Sequence, residues 1–504
     1  MNVSGERTTS IWGSADVSAE PLNADMQADV IVIGSGIAGM SVAYELAIAG
    51  QSVVVIDRGP IAGGMTARTT AHLSAYCDDG FRELIRMRGL ETAKRWYESQ
   101  SASISRIESI TGMLRADCDF RRVDGYLFLS PETEHDILEA EFIACGQVGM
   151  PTLKQKGVPF TGQEATPALR FPAQATFHPM KYLSALATAI RAAGGRFIAN
   201  TPVVQVEENE AGVRVRTMGG HSIGASHAVV ATNAPINDRF AIHTKQAPYR
   251  TYAAAFEAPH GALPDALYWD TLDPYHYVRL QPGEEFDVVI VGGEDHKTGE
   301  SDDGDERILS LSAWMRNLLP GLGREVARWS GQVLEPIDYV GFIGLNPNET
   351  RVFVATGDSG QGMTHGVVAG MLISDLILRG KSPWQETYDP ARKPMMATAE
   401  FLKENLTAVK SIAEHLLPGE VASYDDLQPG KGGIVNDGLQ KIAAYRDEGG
   451  TLMACSAACT HLGCQLRWNS FERCWDCPCH GSQFAPSGEA LNAPSVEPLK
   501  AFSP

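Results

Sequence analysis

No apolar run in this chain approaches the ~18 residues of a membrane-spanning helix, so no span is expected. Positive charge is scarce as well. Lys and Arg number 42 against 61 Asp and Glu, leaving a net charge of −19 and a pI of about 5.1. That balance argues against nucleic acid or an anionic membrane surface as a partner held by bulk electrostatics. The first 25 residues lack an apolar h-region and a twin arginine, which predicts a cytoplasmic protein. Cysteine is thin over most of the length: of nine, six are crowded between Cys455 and Cys479. Such crowding in a large acidic chain points to metal chemistry rather than to the disulfide scaffold of a small secreted domain.

What is present begins with a glycine turn, in a chain whose 504 residues leave room for several domains. Gly34, Gly36 and Gly39 form G-x-G-x-x-G directly behind the apolar run 30–33. The first glycine permits a tight turn, the second lets backbone approach a pyrophosphate, and the third lets helix and strand pack closely. A helix predicted over 40–49 turns free N–H groups and the positive end of its dipole toward the phosphates. Ser35, Ile37 and Ala38 therefore join the glycines as candidate contacts. A second strand ends at Asp57, 23 positions after Gly34, close to the spacing at which a carboxylate takes a ribose hydroxyl. The bland alternative is an ordinary βαβ turn. A second run, 288–294, has no third glycine at the right spacing, so one dinucleotide site is expected rather than two.

Residues 1–27 read as an irregular arm, with Ser10, Ile11 and Trp12 as its anchor on the body. The run 58–72 carries Arg58, Gly63, Gly64, Arg68, Thr69 and Thr70, which suits a loop laid along a phosphate or a flavin; a surface turn is the alternative. His72 reads as a satisfied core histidine, with ligation or covalent flavin attachment as alternatives. Helices are predicted over 81–115, 134–150 and 178–190, with strands over 120–129, 196–198, 201–206, 213–215 and 227–232. Strands alternating with helices indicate an α/β domain with a parallel sheet. From about 248 to 340 the pattern changes to extended strands joined by turns, as in an inserted antiparallel sheet. A strand at 352–356, a loop from Gly357 to Gly362 and a helix over 367–378 follow; these glycines again suit close approach to a flat ligand.

Residues 28–380 resemble the FAD-dependent D-amino-acid-oxidase-like superfamily, the group that contains glycine and sarcosine oxidases. The resemblance is carried by the glycine turn with Asp57, the loop 63–70, the unit 178–206, the run 231–235, and Gly357-Asp-Ser-Gly-Gln-Gly-Met-Thr364. It implies FAD extended across the domain. Gly34, Gly36, Gly39 and Asp57 would hold the ADP part, and the backbone of Val203 would meet adenine. Gly360, Gln361, Gly362, Met363 and Thr364 would line the flavin ring, with Gly357, Arg58, Arg68, Thr69 and Thr70 along the cofactor. Asp57 replaces the commoner Glu of the family, and the shorter acid still reaches a ribose.

Residues 386–425 read as a helical linker, with a helix over 397–416, and 426–504 as a small β domain with strands at 433–435, 441–445 and 451–454. Its end carries Cys459-Thr-His461 and, fifteen residues later, Cys477-Pro-Cys-His480. Two thiolates and two imidazoles close a tetrahedral zinc site. They equally hold a [2Fe–2S] cluster, with Cys on one iron and His on the other. The flanking residues favour the second, because segments 459–464 and 477–482 resemble the cluster loops of Rieske proteins, a likeness that covers roughly 420–504. It implies Cys459, His461, Cys477 and His480 as ligands and Cys464–Cys479 as a disulfide bracing the loops. Cys455 and Cys474 read as ordinary thiols.

The expected architecture is thus an α/β FAD-binding Rossmann-like domain over 28–385, with a mainly antiparallel substrate sheet inserted at about 248–340, followed by a small all-β Rieske domain. A flavin accepts two electrons as a hydride, whereas a Rieske cluster passes on one at a time, at roughly −150 to +300 mV. The pair predicts a dehydrogenase acting on a C–N bond of an amine or amino acid and served by an external electron acceptor. An NAD(P)H-driven component feeding an oxygenase is the alternative, weakened by the missing second dinucleotide motif. Within the inserted sheet, Arg279 is expected to fork onto a substrate carboxylate. Tyr277, with Tyr275 or His276, is expected to shape the site, and His365 to lie near the flavin ring. No residue stands out as a general base.

Overall fold

The structure, a computed structural model, describes residues 7–134, 136–159, 162–237, 242–393, 420–438 and 440–502. The strand Met26–Ile33 pairs in parallel with Val53–Ile56 on one side and with Ser222–Val230 on the other. Arg196–Ile198 extends the sheet at one edge; Val352–Thr356 and the antiparallel Phe342–Leu345 extend it at the other. The central strands are apolar at successive positions because both faces are covered. Val30 and Val32 pack into the core formed with the helices Ile37–Ile48, Pro179–Ala192 and Gly362–Arg379. Ile31 and Ile33 face the other way, onto Val203, Val213 and Val215 of the hairpin Val203–Asn209 and Gly212–Thr217.

The second sheet has nine strands. Five come from the expected insertion, in the order Glu325–Pro336, Gln246–Ala258, Asp287–Lys297, His276–Gln281 and Leu267–Asp270. The remaining four come from earlier in the chain: Arg121–Phe128, Pro167–Thr176, His72–Leu73 and Leu153–Lys156. Leu267–Asp270 joins the two groups by pairing in parallel with Arg121–Phe128. The substrate sheet is therefore shared along the chain rather than confined to 248–340. The sequence concealed this because one contributing strand has two residues and another reads Leu-Lys-Gln-Lys, with no apolar alternation.

The helix predicted over 81–115 is two helices, Phe81–Arg88 and Leu90–Leu114, separated at Gly89, whose φ of +79° no right-handed helix accommodates. The helix predicted over 367–378 starts five residues earlier, at Gly362. The linker helix expected over 397–416 lies outside the described residues. The C-terminal domain is two four-stranded antiparallel sheets. One is built from Gly432–Asp437, Gln440–Arg446, Leu452–Ser456 and Ala501–Phe502, the other from Arg467–Asn469, Cys474–Asp476, Gln483–Phe484 and Ala490–Asn492. Its core centres on Ile434, Leu466, Trp475 and Phe484. Among the described residues no helix is long and apolar enough to cross a membrane.

Buried ion pairs fasten this domain to the rest. Arg250, in the middle of strand Gln246–Ala258, forks onto both oxygens of Asp476 at 2.9 Å, and the two side chains are 1% and 3% exposed. Arg68 reaches Glu472 at 2.6 Å, again fully buried. The N-terminal arm joins the same knot: Thr8 Oγ1 donates to Glu472, Ser10 Oγ to the Ala67 carbonyl, and the Trp12 indole N–H to the Thr69 carbonyl. Asp476 also accepts from Asn469 and Gln483, which satisfy its remaining lone pairs. Removing one partner of such a pair leaves the other charge buried and uncompensated. The Arg250→Met variant is accordingly expected to lose about 3–5 kcal/mol of unfolding free energy in denaturant titrations. A loss below about 1 kcal/mol, the range of exposed pairs, would mean that docking does not depend on this contact.

Candidate active site and cluster site

A cavity of about 580 Å³ runs from the glycine turn to the second sheet. Gly34, Ser35, Gly36, Ile37 and Ala38 line one end, with Asp57, Arg58 and Val203. Gly34 has φ +102°, and a Cβ there would stand 2.3 Å from the Ala231 carbonyl oxygen. Gly39 sits behind the turn, where a Cβ would stand 2.0 Å from the Gly34 carbonyl oxygen, so it serves packing rather than the ligand. Asp57 Oδ2 accepts from both the backbone N–H (2.8 Å) and hydroxyl (2.6 Å) of Ser35, and Oδ1 from Gly59 N–H (3.0 Å). The short acid thus braces the turn itself. Thr69, Thr70, Gly357, Gly360, Gln361, Gly362, Met363 and Thr364 line the cavity farther along. A glycine cradle that excludes any side chain, next to a helix N-terminus, fits the pyrophosphate of FAD.

Two expected cofactor contacts are redirected. The Arg68 guanidinium turns into the Glu472 pair, with further bonds to the Ser330 and Thr8 carbonyls. Arg58 donates to the carbonyls of Ala490 and Ser495 in the C-terminal domain. That domain closes the cavity wall with Leu491, Asn492 and Ala493, a contribution with no signature in the sequence.

At the far end, Tyr277 and Tyr275 line the cavity as expected, together with Tyr76, Trp269, Thr251, Asp78, Asp295 and Asp358. Tyr277 shares a 2.8 Å hydrogen bond with Thr251, and Tyr275 donates to Asp78 at 2.7 Å. Burial pushes Asp295 up to about 7 and both Asp78 and Asp358 up to about 6, with Tyr275 holding Asp78 partly back. Arg279 does not reach this space. It is fully buried under Trp12, donating to the carbonyls of Ala71 and Phe177 and to the side-chain oxygen of Gln281. His276 is likewise structural, bonded to Asp270 at 2.8 Å and stacked on Trp314. His365 lines the cavity next to the loop 357–364; its ring packs beside Gly341 and Tyr388, and burial lowers its pKa to about 4 and keeps it neutral. His72 is held by Thr70 and the Val278 carbonyl, between Trp269 and Tyr277.

In the C-terminal domain the four proposed ligands converge from two tight loops. Gly463 N–H closes onto the Cys459 carbonyl in one, and Gly481 N–H onto the Cys477 carbonyl in the other. Cys464 and Cys479 are bonded, S–S 2.10 Å, across the two loops. Hydrogen bonding from Cys477 holds the Cys459 thiol below its usual value against the burial that raises it, and Cys459 Sγ lies 3.3 Å from the Ser495 hydroxyl. The rings of His461 and His480 lie 5.0 Å apart, and the buried His480 Nδ1 has no hydrogen-bond partner. Two sulfurs on one side and two imidazoles on the other suit a [2Fe–2S] cluster. The imidazole edge does not face open solvent. His243 of the first domain packs on His461 at 4.9 Å and on His480 at 5.4 Å.

The fold and these two sites define a flavin oxidoreductase with a fused iron–sulfur domain. Residues 29–376 match the FAD dependent oxidoreductase family (DAO), and residues 418–503 match the Rieske [2Fe-2S] domain. A Bacillus subtilis (strain 168) protein, YhfW, named as a putative Rieske 2Fe-2S iron-sulfur protein, is 32% identical over 97% of this chain and 96% of its own. Glycine oxidase of Bacillus licheniformis is 25% identical over 72% of this chain and 97% of its own. The crystal structure of glycine oxidase from Geobacillus kaustophilus superposes with a TM-score of 0.62 at 19% identity, covering 73% and 99% of the two chains. The chain belongs to the FAD dependent oxidoreductase (DAO) family and carries a C-terminal Rieske domain. It is an enzyme that binds FAD and a [2Fe–2S] cluster.

The raised carboxyls have a consequence for stability. An unfolded Asp titrates near about 3.9. Between about pH 4 and 7 the folded chain therefore holds more protons at Asp78, Asp295 and Asp358 than the unfolded chain, and their contribution to stability falls as pH rises through that window. Thermal melts at about pH 5 and pH 8 are expected to show a smaller loss in Asp295→Asn than in the wild type. Parallel curves would assign the pH dependence elsewhere.

Proposed function

We propose that this enzyme is a dehydrogenase that oxidises a C–N bond of a small amine or amino acid and sends the electrons through the cluster to an external acceptor. Bound FAD supplies the two-electron acceptor and the cluster a one-electron exit. The observation that carries the reading is the shared wall between the two sites. Gln332 lines the FAD cavity and donates at 2.9 Å to the carbonyl of Gly481, the neighbour of His480. Its side-chain oxygen accepts from Asn492 of the cluster domain and from Asn233 of the FAD domain. A cluster placed against the flavin cavity is suited to take electrons from it. The names of the glycine oxidase relatives support a C–N substrate. The chain's own residues would position that substrate: Tyr277, Tyr275 and Trp269 form the wall, and the side chains above the flavin loop exclude water. A cytoplasmic setting is part of the same proposal.

Two measurements test it. Acid precipitation is expected to release FAD into the supernatant, since His72 is engaged by Thr70 and Val278; flavin retained in the pellet would point to a covalent link. His461→Ala is expected to lose the Rieske EPR signal while keeping FAD. Its flavin should still be bleached anaerobically by an amine, with electron delivery to the acceptor abolished. Delivery that survives cluster loss would remove the cluster from the route.

A further inference from the structure

The substrate end of the cavity is rich in acid, and the two histidines that line the cavity, His72 and His365, are held neutral by burial. Asp78, Asp79, Asp295 and Asp358 line it, and Glu335 stands behind, bonded with Asp79 to the Ser359 hydroxyl. Among the described residues no lysine lines the cavity; of its three arginines, Arg58 is spent on carbonyls and Arg68 on Glu472, and Arg82 stands half exposed at the rim, 3.4 Å from Glu83. Asp358 belongs to the loop 357–364 itself, and Asp78 packs against it. Asp78 Oδ2 lies 2.1 Å from where a Cβ on Gly360 would stand, so only glycine there admits it. A second observation is independent of charge. Asp295 Oδ1 is a buried acceptor without a hydrogen-bond partner, and the residue lines the cavity. Buried acceptors left unpaired are costly and call for N–H or O–H donors. A carboxylate brings none; an ammonium brings several. Aromatic walls complete the environment, with Tyr275 and Tyr277 at 5.6 Å and Tyr76 and Trp269 at 6.3 Å between ring centroids, a lining that favours cations.

We infer that the substrate is an amine cation with no carboxylate beside its reacting C–N bond, held by Asp78 and Asp295 against the rings of Tyr275, Tyr277 and Trp269. The inference rests on the dehydrogenase reading above and narrows it from amines or amino acids to amines. It excludes amino acids because a carboxylate next to Asp78 would meet like charge and find no arginine.

The test uses a matched pair of probes that cannot be oxidised, since neither has a hydrogen on the carbon next to its charged group. The holoenzyme is titrated with tert-butylammonium and, separately, with pivalate. The cation is expected to perturb the flavin absorption saturably and to raise the melting temperature, as any ligand selective for the folded state does. Pivalate at equal concentration is expected to do neither. Asp295→Asn and Asp78→Asn should each weaken the cation at least tenfold with FAD content unchanged. Binding of pivalate in preference to the cation overturns the inference, and the wild-type comparison decides this even if a variant fails to fold. Anaerobic bleaching separates the two levels. Reduction by amino acids but not by plain alkylamines sinks this inference and leaves the dehydrogenase standing. Reduction by neither, with cation binding intact, sinks the dehydrogenase and leaves the cation site.

Discussion

The arrangement of this enzyme depends on four charges that have been taken out of water at the seam between its domains. Arg250 and Arg68 belong to the FAD domain, Asp476 and Glu472 to the Rieske domain, and none is appreciably exposed. Desolvating four ions is expensive, and it is tolerated only where the geometry is complete. Here it is: Arg250 meets both oxygens of Asp476, and Glu472 accepts from Arg68, Thr8 and Ser330 together. Pairs of this kind are unforgiving about placement, so they fix one orientation of the two domains. Arg68 lies in a loop that lines the cavity, which means the cavity and the docking seam are set by the same short segment.

The cavity itself is electrically divided. At one end the helix Ile37–Ile48 presents its N-terminus, and the acid there, Asp57, is spent on bracing Ser35. Anionic phosphates belong at that end. At the other end the carboxyls of Asp78, Asp295 and Asp358 are crowded into a poorly solvated space and are pushed toward neutrality by burial. FAD carries its charge on the pyrophosphate and not on the ring, so the cofactor matches the first end and leaves the second for another ligand.

Much of this was legible in the sequence where the constraint is local. Gly39 is recognisable because a Cβ there would collide with the Gly34 carbonyl in the same turn, and Gly34 because the turn needs its φ of +102°. The cluster ligands are recognisable because both loops are short and each carries its own pair. What failed was anything decided by distance along a strand or by a distant partner. Arg279 is expected at the site from its place in the inserted sheet and the fit of a guanidinium to a carboxylate; but it lies two residues beyond Tyr277, about 7 Å of strand, and that step carries the guanidinium past the cavity to Trp12. Arg68 was assigned to the cofactor because its partner, Glu472, lies 404 positions away. Asp78 and Asp295 sit in no motif, and only the fold brings them to one cavity.

The strand Gln246–Ala258 ties these observations together. Just before it, His243 packs on both cluster histidines. Within it, Arg250 and Thr251 are neighbours and so point to opposite faces of the sheet. Arg250 takes the Rieske domain's Asp476, whereas Thr251 bonds Tyr277 in the wall of the cavity. The stretch 243–251 thus reaches the cluster histidines, the docking seam and the cavity wall. Such a strand is held by neighbours on both sides, Asp287–Lys297 and Glu325–Pro336, and has little freedom to shift at one contact without shifting at the others. The spacing between the two redox sites is therefore built into a sheet rather than left to a flexible joint.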